Sequence, residues 1–321
     1  MSDYEPLNLT ETLNAGLDIL GHGLSAEVGF QSYRGLPFSI SADSTKCFIA
    51  LNKDSGIVEI PVKRTAYHII FAHRLLRSDI DDGGPVGSLI ANYSFCMEGK
   101  QQVEYPIRER FEIASVPMDS FRGPSGLPFR AVTDGKHELL PRNEGKWHEF
   151  GRRQTEYLQA TANNYFLWSW INPNPDTNIE SIRIIPKGPE FVISAITLSH
   201  LDEYPFARQG RREVKFTLTD SPVETSEFDL QVKIDRGDST YPFGLPEDPD
   251  VGFIKALHRG FGERHNENAS SSYAEISAIP SATVSLEHNG KTIGQIPWGR
   301  IENEGKVETS KFSAELMDRG R

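Results

Sequence analysis

Ala66-Tyr67-His68-Ile69-Ile70-Phe71-Ala72-His73-Arg74-Leu75-Leu76 is apolar almost without a break, and Ser78-Asp79-Ile80-Asp81-Asp82-Gly83-Gly84-Pro85 follows at once. A run rich in Ile and aromatic residues, closed by Asp, Gly and Pro, reads as a strand buried on both faces, as in the middle of a sandwich. Outward from it the same pattern recurs: short apolar runs separated by Gly, Pro, Asp and Asn. We expect strands at residues 36–41, 46–51, 56–61, 87–97, 102–107 and 111–116, and again at 165–171, 179–185 and 191–198. Pro186-Lys187-Gly188-Pro189 then makes a tight connection between the last two.

Residues 200–210 lack periodicity and end in glycine, and the domain boundary is expected there. The domains are then 1–203, a sandwich preceded by a segment carrying Leu7, Leu9, Leu13, Leu17 and Leu20 that reads as a short helix or as an arm laid on a sheet, and 204–321, a smaller sandwich-like domain. Strands are expected in the second at residues 213–219, 228–234, 273–279, 282–288 and 292–296, with one short helix at 251–259. Asn289-Gly290 between two alternating runs supplies the positive φ angles of a type I′ hairpin turn. The expected fold class is therefore all-β, two β-sandwich domains with minor helix. There is no repeat of fixed period.

Composition agrees with a folded chain. At 321 residues the protein is long enough for two cores, and 18 Phe, 10 Tyr and 4 Trp supply bulky material for them. The 45 acidic and 34 basic side chains leave a net charge of −11, which opposes binding to a phosphate backbone, so no nucleic-acid partner is expected. Cys47 and Cys96 are the only cysteines and cannot make a disulfide framework; two free thiols are expected. Met1-Ser2-Asp3-Tyr4-Glu5-Pro6 does not read as a secretory signal, and no stretch is apolar enough to cross a bilayer as a helix. The expectation is a cytoplasmic protein without a membrane partner, in which the sequons at Asn8, Asn92 and Asn268 carry little weight. The oligomeric state stays open.

Motifs that announce chemistry are missing. The sequence has no glycine-rich phosphate loop, no Gly-x-Ser-x-Gly elbow, no Cys-x-x-Cys and no His-Glu-x-x-His. No catalytic residue, metal site or cofactor is therefore expected, although catalytic groups can still assemble from distant strands. His68 and His73 have an odd separation on one strand and fall on opposite faces. His258 and His265 flank a glycine-rich turn and read as loop histidines, with a metal pair as the alternative. Asp79, Asp81 and Asp82 offer hard oxygen ligands for a structural Ca²⁺, without the spacing of an EF-hand; a plain polar turn is the competing reading.

Tyr165-Phe166-Leu167-Trp168-Ser169-Trp170-Ile171-Asn172-Pro173 is the most suggestive stretch. Trp168 and Trp170 are two apart, so a strand points both rings to one face. If exposed, they would stack on the apolar face of a sugar ring; if covered by the long excursion at residues 119–151, they are core. Trp147, His148, Arg152 and Arg153 lie just upstream and would rim the same surface. The candidate ligand-binding residues are thus Trp168, Trp170, Asp79, Asp81, Asp82 and Arg152.

Phe30-Gln31-Ser32-Tyr33-Arg34-Gly35-Leu36-Pro37-Phe38, Ser169-Trp170-Ile171-Asn172-Pro173-Asn174-Pro175, Tyr241-Pro242-Phe243-Gly244-Leu245-Pro246 and Ala278-Ile279-Pro280-Ser281-Ala282-Thr283-Val284 resemble the N-terminal region of large bacterial metallohydrolases of the CehA/McbA type. There, β-sandwich domains precede a PHP-like metal-dependent hydrolase domain. The resemblance implies an accessory role beside such a domain, whose His-x-His metal pair is absent from this sequence, so no catalytic residue carries over. The first domain also resembles the galactose-binding-like jelly roll of carbohydrate-binding modules, which implies a carbohydrate partner. The alternatives are a fragment of a metallohydrolase whose catalytic domain is encoded downstream, and a purely structural or oligomerising β protein.

Overall fold

The computed structural model describes residues 2–80, 83–116, 130–135, 138–141, 155–158, 162–206, 212–219, 230–239, 243–244, 272–288 and 290–317. The chain divides into two compact units, Met1–Lys136 with Ala160–Pro205, and His137–Gln159 with Phe206–Arg321.

The strands up to the end of the first unit are, in chain order, β1 (Tyr4–Pro6), β2 (Gly29–Tyr33), β3 (Leu36–Ile40), β4 (Ile49–Leu51), β5 (Val58–Arg64), β6 (His68–Leu75), β7 (Leu89–Met97), β8 (Gln102–Arg108), β9 (Val132–Thr133), β10 (Glu138–Pro141), β11 (Thr155–Leu158), β12 (Phe166–Ile171), β13 (Ile179–Pro186) and β14 (Phe191–Ser199). One sheet of the first unit runs β1-β14-β6-β12-β9 with β4 also on β14; the other runs β5-β13-β7-β8. All these pairings are antiparallel. A continuous apolar core takes Ile69, Phe71, Trp168 and Ile196 from the first sheet and Ile60, Tyr93, Phe95 and Ile182 from the second. The paired β10 and β11 fall in the second unit.

Every residue of β6 is buried, as its unbroken apolar sequence leads one to expect. Ile69, Phe71 and Leu75 enter the inter-sheet core. On the opposite face of the sheet the β2–β3 hairpin packs over β14: Thr197 Oγ1 donates to Pro37 O at 2.6 Å, and the Tyr33 ring meets Tyr165 at 5.8 Å. That hairpin turns on Arg34 (φ 54°) and Gly35 (φ 78°), the two left-handed residues of a type I′ turn. Arginine seldom adopts this conformation. Here its buried guanidinium holds it, with Nε donating to Thr133 O at 2.6 Å and Nη2 to Thr133 Oγ1 at 3.2 Å.

The second unit continues with β15 (Arg212–Leu218), β16 (Leu230–Ile234), β17 (Gly237–Ser239), β18 (Phe243–Gly244), β19 (Ser272–Ala278), β20 (Thr283–His288), β21 (Lys291–Pro297), helix α1 (Trp298–Glu304), β22 (Lys306–Glu308) and β23 (Phe312–Leu316). One sheet runs β17-β19-β15-β23-β22 with β18 on β19; the other runs β16-β20-β21. Val214, Phe216, Ile276, Val284, Leu286 and Phe312 share one core with Trp298 and Ile301, whose three-residue spacing puts both on the buried face of α1. The hairpin expected around Asn289-Gly290 forms, with His288 opposite Lys291 and Gly290 at φ 71°.

The structure thus bears out an all-β chain with several antiparallel sheets; its strand order does not establish the jelly roll. The strand expected at residues 111–116 is reduced to isolated bridges. Glu112 turns back there to accept from Arg108 N, Nε and Nη2 at 2.8, 3.2 and 2.8 Å, which is incompatible with an extended ladder. The helix expected at 251–259 lies outside the described residues, whereas α1 forms where none was expected.

Candidate functional site

β12 pairs with β6 along its whole length but, among the described residues, with β9 only at Phe166 and Leu167, so Trp168–Ile171 lie at the rim of the described sheet. Trp168 and Trp170 do share a face, and that face is the core: they are 8% and 4% exposed. Trp170 stacks on Phe95 of the opposing sheet at 3.8 Å with ring planes 6° apart, and Trp168 packs on Phe71 at 5.5 Å. The two tryptophans therefore do not form an exposed platform. The apolar residues around them, which made the core reading available, decide the outcome by supplying the partners.

The aromatic surface lies one layer further out. Tyr105, on β8 opposite Tyr93, leans on Trp168 at 5.0 Å yet stays 36% exposed. Tyr204, five residues beyond the end of β14, sits on the other face of the rim, edge-on to His68 at 5.9 Å, and is 37% exposed. Tyr105 is near enough to raise the Tyr204 phenol electrostatically, although burial is the larger cause of that upward shift. Ile171, 60% exposed, lies opposite His68 in the same rim. Alternation along β12 made the tryptophans visible in sequence; Tyr105 and Tyr204 carry no such signal, because one is a single ring on a polar strand and the other sits in an aperiodic segment.

Beneath Tyr204, Ser169 Oγ lies 3.5 Å from His68 Nδ1, and both residues are buried. Burial lowers the His68 pKa, and the carboxylates of Asp202 and Glu203 act in the opposite sense. Glu203 also accepts from Tyr4 Oη at 3.4 Å. His73 points the other way, as its odd spacing from His68 requires. Its Nε2 is 2.9 Å from Glu112 O, a pure acceptor, so Nε2 bears the proton; Nδ1 then accepts from Tyr93 Oη at 2.9 Å. Complete burial pushes the His73 pKa down to about 4.

A second polar cluster ties together the two strands that bound residues 134–165. The Asp134 carboxylate accepts from the backbone N–H groups of Asn163, Asn164 and Tyr165 at 2.8, 2.8 and 3.0 Å, while Asp134 N donates to Tyr165 O at 3.1 Å. Arg74, 1% exposed, donates from Nη1 to Asn164 O at 3.1 Å and feels the charge of Asp134.

The remaining sequence candidates separate. Asp79 is exposed and sits 3.7 Å from Arg77 Nε, whereas Asp81, Asp82, Trp147, His148, Arg152, Arg153, His258 and His265 lie outside the described residues, as does most of the excursion at 119–151. Among the described residues no three His, Cys, Asp or Glu side chains come together to hold a metal ion. Cys47 and Cys96 are free thiols, and burial pushes the Cys47 thiol up to about 11. No helix among the described residues is long and apolar enough to cross a membrane. Comparison with protein-family models, curated proteins and solved structures finds no match to this chain.

Proposed function

We propose that the chain is a non-catalytic binding or accessory module whose first unit takes a carbohydrate on the surface of Tyr105, Tyr204 and Ile171. The observation that carries the reading is a pair of half-exposed tyrosines flanking one sheet rim, with Tyr105 held on a packed tryptophan. A phenol ring offers an apolar face to a sugar ring and a hydroxyl to its hydroxyl groups. Rings braced from behind lose little side-chain entropy on binding. The galactose-binding-like resemblance of the first domain is of the same kind, and docking of a hydrolase partner would be compatible with it.

A glycan array printed with neutral oligosaccharides tests the proposal. Tyr105→Ala and Tyr204→Ala should each weaken the tightest signal about tenfold, the equivalent of about 1–1.5 kcal/mol for a lost aromatic contact. Both variants should keep the wild-type melting transition within a few degrees. An array with no signal, or one indifferent to both substitutions, defeats the reading.

A further inference from the structure

We infer that His68 is an acid-sensitive support beneath Tyr204, so that the Tyr105–Tyr204 surface is held together at neutral pH and released on acidification. The inference rests on the proposed binding surface and adds its regulation. His68 is a positioning residue in this scheme: the exposed ring at the surface is Tyr204, and His68 is the buried ring against which it leans.

The geometry leaves little room for a charge. His68 is 4% exposed, lies opposite Ile171 on β12 and Ser199 on β14, and has Ser169 Oγ at its Nδ1. From the segment after β14, Tyr204 covers it and Asp202 and Glu203 supply the charges that act on it. Nearby, His200 Nε2 is within 3.3 Å of Glu5 Oε2, and Arg64 Nε within 3.6 Å of Glu5 Oε1, so Glu5 is engaged elsewhere. A neutral imidazole fits this site, with Nδ1 beside the Ser169 hydroxyl.

A protonated ring must donate from both nitrogens and be solvated or paired. Its nearest counter-charges, Asp202 and Glu203, are on the very segment that carries Tyr204, so pairing with them drags that segment and uncouples the Tyr204 ring. Burial holds the neutral form, which puts the transition below the ordinary histidine range; the surface is intact above it and lost as pH falls through it.

The test uses the full chain and begins without any ligand. Aromatic NMR resonances of His68 and Tyr204 are followed from pH 7.5 to 4.5, and the Tyr204 ring signals should move with the His68 midpoint. His68→Gln, which keeps a polar side chain but cannot charge, should leave the Tyr204 signals flat over the same range. The neutral-glycan array is then run at pH 7.5 and at a pH below the His68 midpoint found in the titration, where wild type should lose at least tenfold and His68→Gln should not. Tyr204 signals that ignore the His68 titration overturn the inference, as does glycan binding that is equal at both pH values. Coupled titration with no glycan bound at either pH upholds the support and removes only the carbohydrate reading.

Discussion

The buried His73 gives the first unit an acid instability whose size follows from the structure. Its ring is fully enclosed, donating to Glu112 O and accepting from Tyr93 Oη, and among the described residues no counter-charge acts on it to offset a proton. The pKa falls from 6.5 in the unfolded chain to about 4 in the native state. Between those values the unfolded chain binds the extra proton, so folding stability rises with pH there and is lost as pH drops below 6.5. At 1.36 kcal/mol per unit the full loss is about 3 kcal/mol by the time pH reaches the folded pKa, a large part of the stability of an ordinary domain. The measurement is urea unfolding at half-unit steps from pH 7.5 to 4, on wild type and on His73→Gln. The glutamine amide can donate to Glu112 O and accept from Tyr93 Oη without titrating. Its own packing cost is a constant offset, and carboxylates and His68 titrate in both proteins, so they cancel in the difference. That difference should shrink in favour of the variant by about 1.4 kcal/mol per pH unit below 6.5. Two parallel curves across this window would refute the assignment of a buried neutral His73.

Two further perturbations probe the remaining framework. Asp134→Ala removes an acceptor from three backbone N–H groups and leaves Arg74 facing no carboxylate, so a loss of about 3 kcal/mol in urea unfolding is expected. Adding Arg74→Met should recover part of it, and a loss below about 0.5 kcal/mol for Asp134→Ala alone would show that the carboxylate is dispensable. In the second unit, a Cβ at Gly237 would stand 2.6 Å from Ala278 Cβ and 2.7 Å from Ser277 O. Gly237→Ala should therefore cost about 1–3 kcal/mol through forced separation of β17 from β19, read as a lowered melting temperature of that unit; an unchanged melting temperature would contradict the close approach.

The fold was legible where one residue's environment is set by its near neighbours in sequence. The unbroken apolar run from Ile69 to Ala72 reads as a strand covered on both faces, and it is one. The hairpin expected at residues 289–290 forms, with Gly290 at a positive φ of 71°. The strand expected at 111–116 failed because Glu112 is committed to Arg108, a side-chain competition that an apolar pattern does not register. The site was legible only to its first layer. Period-two spacing correctly put Trp168 and Trp170 on one face, but which face depends on Phe95, 75 positions away from Trp170 and on the opposing sheet.

The same limit explains why the surface residues were missed, and it has a physical form. Tyr105 and Tyr204 gain their meaning from each other across 99 residues, and Asp134 gains its partners from residues 163–165 across the excursion. None of these residues is unusual in its own stretch of sequence. What distinguishes them is partial or complete burial of a polar ring or carboxylate against groups delivered by other strands. Such burial is costly unless each polar atom finds a partner. For Asp134 the partners are all internal, and the cluster is a clasp. For Tyr204 the ring is left a third uncovered over a buried histidine, and this asymmetry, rather than any motif, makes the β12 rim the place to look for a ligand.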